Sequence, residues 1–231
     1  MQKKQIIEAR SRDLAINDME KTVTISVGDA ILTGDLRVPE SAKGLVIFAH
    51  GSGSSRHSSR NQYVAQVLNI YHSGTLLIDL LSSDEERVDQ ISREYRFNIE
   101  MLADRLTKVV EWVEQQPWAS ELKVGYFGSS TGGGAALMAA AKRPENIFAV
   151  VSRGGRPDLA GDHLKNVLAP TLLIVGELDP QVIQLNQQAQ NILPIDSNLQ
   201  IIPGATHLFE EPGTLEKVAH EAAEFFQRCF T

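Results

Sequence analysis

Cysteine is nearly missing from this chain of 231 residues: Cys229 is the single thiol. One cysteine cannot form an internal disulfide, which fits a reducing compartment, so a cytoplasmic location is expected. Cys229 also ends the last helical pattern, where no strand or glycine turn would present it as a nucleophile. Long apolar runs are missing too. The longest is seven residues, 135–141, against the roughly 18 that a membrane span needs. The first ten residues are basic but lack the apolar core of a secretory signal. Positive charge is scarce, with 22 Lys and Arg against 29 Asp and Glu and a formal net charge of −7. With no basic cluster to offset that balance, neither nucleic acid nor an anionic membrane is expected as a partner. Nothing repeats, and nothing is low in complexity.

What is present reads as an ordinary globular domain, 42% hydrophobic and 22% charged. Residues 23–27 and 31–38 alternate around Gly28-Asp29 and predict a hairpin. Short apolar runs at 45–49, 75–78, 123–127, 147–151, 171–175 and 198–202 suit strands, most of them buried on both faces. Between them lie helical patterns at 61–71, 99–115, 131–142, 182–193 and 215–226. Strand–helix alternation after a hairpin predicts an α/β fold: a mostly parallel, eight-stranded sheet in a three-layer sandwich with no large lid. Residues 23–231 are expected to form one domain and 1–22 an arm. The polar stretch 82–98 is expected to be an exposed, mobile excursion.

Four motifs carry chemistry. Residues 128–132 read Gly-x-Ser-x-Gly, between a strand pattern and an Ala-rich helix. That context marks a nucleophile elbow, with Ser130 on a tight turn at a helix N-terminus. A serine needs a base, and the base needs a carboxylate to orient it. His207 lies in the loop between the last strand and the last helix. His57, His72, His163 and His220 read as surface or capping residues. Asp179 follows the strand 171–175, with Gly176 to bend the chain and Pro180 to end the turn. Glu177 is the rival carboxylate, and Asp179 could instead cap the next helix. The order Ser130, Asp179, His207 suits the α/β-hydrolase arrangement. Finally, His50-Gly51-Ser52-Gly53-Ser54-Ser55-Arg56 follows the strand 45–49. Its Gly51 or Ser52 amide, with that of Thr131, would form an oxyanion hole. His50 would shape this turn.

With these motifs in this order, residues 23–230 resemble an α/β-hydrolase, and the His-Gly-Ser-Gly turn and compact layout resemble the dienelactone hydrolase-like branch. The resemblance implies a triad of Ser130, Asp179 and His207 acting on a small ester or lactone, with no metal and no organic cofactor. The chain contains no His-Glu-x-x-His and no paired cysteines. It has Ser130 where the enzymes of that branch carry cysteine, so the ester or lactone itself is left open. A small-peptide hydrolase, an acyltransferase or a non-catalytic binding protein on the same fold are the alternatives. An anionic substrate group held by Arg56, Arg60 or Arg153 is a further expectation, against which pairing with nearby acids is the competing role.

Overall fold

The computed structural model describes residues 18–195 and 197–231. Its eight-stranded sheet runs in the order β1-β2-β4-β3-β5-β6-β7-β8. Strands β1 (Met19–Val27) and β2 (Ala30–Val38) form the antiparallel hairpin around Gly28. β3 (Gly44–Ala49), β4 (Gly74–Ile78), β5 (Lys123–Ser129), β6 (Ile147–Arg153), β7 (Thr171–Gly176) and β8 (Ser197–Ile202) are parallel. The expected 1–22 arm is shortened by the sheet: residues 19–22 pair with 35–38 and belong to β1. The rest of that arm, 1–17, lies outside the described residues.

Among the described residues, five helices cover the sheet. α1 (Ser59–Ile70) and α6 (Thr214–Phe230) pack on one face, over Val46, Phe48, Phe127 and Ile174. α3 (Ile99–Glu114), α4 (Thr131–Lys142) and α5 (Pro180–Ile192) lie on the other with Ile47, Tyr126, Val150 and Leu173. Every residue of β3, β4 and β7 is buried. Helices on both faces leave such strands no polar face, which is why they read as unbroken apolar runs. No helix among the described residues is long and apolar enough to cross a membrane.

The stretch 82–98 is exposed, as its polarity suggests, but it is regularly folded. It forms α2 (Ser83–Ser92), opened by a capping box between Ser82 and Glu85. Buried Asp89 accepts the Tyr95 and Arg96 amides at 2.8 and 3.0 Å and the Arg96 Nε at 2.5 Å. Arg105 of α3 holds the other end, donating to Glu85 at 2.5 Å and to the Leu80 carbonyl at 2.7 Å. Arg105 and the Ser82 bonds hold the Glu85 carboxyl below its usual range against the opposing effect of burial, the largest single contribution. Charge pairing, not an apolar face, fixes this excursion beside the C-terminal edge of the sheet.

Candidate active site

Parallel strands that end at one edge deliver their loops to one place, the usual position of a site in open α/β sheets. Here the edge carries the turns after β3, β5, β6, β7 and β8. After β5 the chain reverses sharply into α4, and Ser130 takes φ 50° and ψ −121°. A side chain rarely adopts this left-handed conformation, and it is held by packing on both sides. A Cβ on Gly132 would stand 2.2 Å from the Ala49 carbonyl oxygen, so only glycine lets α4 start this close to β3. The Ser130 amide donates to the Arg153 carbonyl at 3.2 Å. Ser130 is half-buried and caps nothing. Neighbouring Ser129 is buried and donates its hydroxyl to Asn61 at 3.1 Å, which leaves Ser130 as the accessible serine of the pair.

The Asp179 and His207 loops are laced together through their backbones. Glu177 and Leu178 donate to the carbonyls of Ile202 and Ala205 at 3.0 and 2.9 Å. Asp179 sits at the N-cap of α5, yet its side chain makes no capping bond. It lies 2.7 Å from His207 Nδ1 instead. A carboxylate there accepts from Nδ1–H and leaves Nε2 with its lone pair. Glu177, the rival, accepts the Gly204 amide at 2.7 Å. Glu211 accepts both the amide and the hydroxyl of Thr206, at 3.1 and 2.6 Å, and so steadies the loop just before His207. These bonds hold the Glu211 carboxyl below its usual range.

The His207 ring lies over Gly154, its Cε1 3.4 Å from where a Cβ would stand. Gly154 follows the residue whose carbonyl receives the Ser130 amide, so serine and histidine flank one short segment. No hydrogen bond joins Ser130 Oγ to His207 in this arrangement. In unliganded sites such bonds are often long or misaligned and tighten with substrate.

The turn after β3 is set by His50. Its Nε2 accepts the Leu80 amide at 3.0 Å, which puts the proton on Nδ1, 2.9 Å from the Gly51 carbonyl. Burial pushes the His50 pKa down, with Gly51, Asp79 and Glu86 acting against it. Gly51 packs on Ser130, its missing Cβ 3.2 Å from the serine's own. The two amides proposed from sequence for this turn differ. Ser52 N–H is engaged by the Thr131 hydroxyl at 2.8 Å, a contact no sequence signal announced. Of the amides expected to serve as oxyanion donors, Ser52 N–H is therefore already bonded at the turn.

The three arginines also part company. Arg56 is not free for a substrate: Asp79 accepts its amide at 2.8 Å and pairs with its guanidinium, and Asp35 lies 3.2 Å from its Nε. Strands β2 and β4 bring these carboxylates to it, a pairing that local sequence does not reveal. Arg60 pairs with Glu210 at 3.1 Å. Arg153, the last residue of β6, is buried and has no acidic partner among the described residues. Cys229 is half-buried near the end of α6, and burial raises its pKa.

Three comparisons set this geometry beside known proteins. Residues 38–231 match the model of the dienelactone hydrolase family. The crystal structure of a dienelactone hydrolase from Anabaena variabilis is 54% identical, with a TM-score of 0.90 over 92% of this chain and 99% of that one. Est1E from Butyrivibrio proteoclasticus, 17% identical with a TM-score of 0.75, covers 90% of this chain and 98% of its own, a likeness of fold alone. A Mycobacterium tuberculosis protein provisionally named a phosphoribosyl transferase is 56% identical over 207 residues. That match takes in 90% of this chain, which spans only 46% of the relative's length.

Proposed function

Because the chain belongs to the dienelactone hydrolase family, we propose that it hydrolyses a small carboxylic ester, lactone or thioester through an acyl-enzyme on Ser130. The observation that carries this reading is the elbow serine at φ 50°, with the Asp179–His207 pair at 2.7 Å across the same edge. A rotation about the Ser130 Cα–Cβ bond brings Oγ toward His207 Nε2, which takes its proton as Oγ attacks the carbonyl carbon. The tetrahedral oxygen gathers negative charge near the Thr131 and Gly51 amides and the N-terminus of α4, where fixed dipoles favour it. His207 then gives its proton to the departing alcohol, and a water repeats the sequence to release the acid. Asp179 holds the imidazole in the tautomer this requires and stabilises the imidazolium. The transferase name of the mycobacterial relative belongs to a protein more than half of which has no counterpart here.

The test is titration with a fluorophosphonate, followed by turnover of p-nitrophenyl esters, lactones and aminoacyl amides. One label per chain on Ser130, absent from Ser130→Ala, is expected. Asp179→Asn should lower kcat by orders of magnitude, roughly 10⁴ in the serine-protease precedent. Labelling of Ser129, or a larger loss from Glu177→Gln, would overturn these assignments. Preferential cleavage of the amides would move the reading to a small-peptide hydrolase, and transfer to an added alcohol in place of water to an acyltransferase.

A further inference from the structure

Asn186 of α5 is fully buried, and its side-chain amide is only half used. Nδ2 donates to the Gly155 carbonyl at 3.0 Å and to the Val182 carbonyl, one turn back, at 2.8 Å. Oδ1 is buried and meets no donor among the described residues. A buried polar group left unpaired costs stability, and an apolar side chain of similar size would avoid that cost. Helix α5 does not need the amide, because a mid-helix carbonyl such as that of Val182 already has its backbone partner. What the amide adds to the fold is one directed bond, to Gly155.

Both reacting side chains of the site rest on the segment around Gly155. The Ser130 amide donates to the Arg153 carbonyl at 3.2 Å, and the Ser130 carbonyl accepts the Arg156 amide at 3.0 Å. Residues 153 and 156 thus hold the elbow serine from both sides. The His207 ring leans on Gly154, with Cε1 and Nδ1 at 3.4 and 3.5 Å from where a Cβ would stand. Gly154 takes a positive φ of 51° and donates to the Ile174 carbonyl at 2.7 Å. There is no slack behind the segment: the Ser152 hydroxyl lies 1.8 Å from the Cβ position of Gly155 and 2.6 Å from that of Gly133. A shift at Gly155 would therefore reach α4 three residues after the serine. Two consecutive glycines, 154 and 155, give this stretch no side chains of its own to anchor it. Among the described residues, Asn186 is the one side chain that hydrogen-bonds to the backbone of 152–156. It stands two turns into the helix that begins at Asp179.

We propose that Asn186 is a positioning residue of the hydrolytic site: through the Gly155 carbonyl it fixes segment 153–156, and with it the placement of Ser130 relative to His207. One bond ties the helix that follows the acid to the strand end that holds the serine and supports the histidine. This role rests on the hydrolase reading, since only a reacting pair has a separation to keep. Asn186 touches no reacting atom, so its contribution is orientation alone. Misplacement by about 1 Å can cost on the order of a hundredfold in rate, even when the change is made away from the chemistry.

The test sets Asn186→Leu, of similar size but without the amide, against Ala189→Gly, another buried change on α5. Both should lower Tm, and both are assayed at a temperature where circular dichroism shows them folded. With p-nitrophenyl acetate, Asn186→Leu should lose about ten- to a hundredfold in kcat, with KM within about twofold of wild type. Fluorophosphonate labelling of Ser130 should slow in step. Ala189→Gly should keep both rates even where its Tm falls as far, which a merely structural role for Asn186 would not allow. If Asn186→Leu does not fold, Asn186→Ala carries the same comparison. Wild-type kcat in the folded Asn186 variant, or equal losses in it and Ala189→Gly, would reduce the amide to packing and overturn the proposal while leaving the hydrolase reading intact. A wild type that neither turns over the ester nor takes the label on Ser130 would defeat the hydrolase reading, and the positioning role with it.

Discussion

Replacing Ser130 by glycine should leave the protein more stable than replacing it by alanine, by more than the usual preference for glycine over alanine at a helix N-cap. The reason is the backbone. At φ 50° and ψ −121° any side chain with a Cβ is strained, and such residues cost on the order of 1–3 kcal/mol. Alanine keeps the Cβ and hence the strain, and glycine releases it. Against this, glycine gains freedom in the unfolded chain, worth roughly 0.4–1 kcal/mol. Nothing else offsets the balance, because the Ser130 hydroxyl caps nothing in α4. The net is about 0.5–2 kcal/mol in favour of Ser130→Gly. For a domain of this size each kcal/mol moves Tm by about 2–4 °C. The assay is urea unfolding of both variants at equal slope, with calorimetry as a second probe, and both variants should be inactive. If Ser130→Gly proves equal to or weaker than Ser130→Ala, the strain is not there and the elbow is a relaxed turn. If instead the prediction holds, the protein gives up stability to present this serine, a familiar exchange at functional sites.

Two further outcomes follow from the packing. His50 is buried and neutral, and its pKa is lowered from 6.5 in the folded protein. The unfolded chain therefore binds the proton first, and stability from this group is lost as pH falls below 6.5. The slope approaches about 1.4 kcal/mol per pH unit, so His50→Gln should show a shallower acid decline than wild type in denaturant titrations between pH 7 and 5. An unchanged slope would mean that His50 is already charged in the fold. Gly132→Ala, normally favourable within a helix, should instead destabilise by about 1–3 kcal/mol or more, since its Cβ would meet the Ala49 carbonyl at 2.2 Å. Gly161→Ala serves as the comparison: open space surrounds it, so only its positive φ opposes the change. A Gly132→Ala protein as stable as wild type would show that α4 can withdraw from β3.

The strands and the loops at their ends were legible because each leaves a local mark. A strand covered on both faces must be apolar throughout, as in β3 and β7. A serine on a reversal between strand and helix needs glycines at fixed offsets. The loops bearing Asp179 and His207 each follow a buried run directly. The boundaries slipped where pairing extended a polar segment, as in residues 19–22, whose place in β1 depends on the partner strand. The excursion at 82–98 is exposed, as its polarity implies, but its helix is held by partners elsewhere. Its Ser-x-x-Glu start was a visible capping signal, but the order of the segment comes from Asp89 with Arg96 and from Arg105 on a different helix.

The arginines mark the boundary most sharply. Arg56, Arg60 and Arg153 stand alike in sequence, each near the end of a strand or its following turn. Only the fold brings Asp35 and Asp79 to the first and Glu210 to the second, and among the described residues it brings no acid to the third. Sequence determined which residues are at the edge of the sheet, since strand ends and glycine turns are written locally. The tertiary structure alone decided which charges there are neutralised, because a counter-ion is a neighbour in space and can come from any part of the chain.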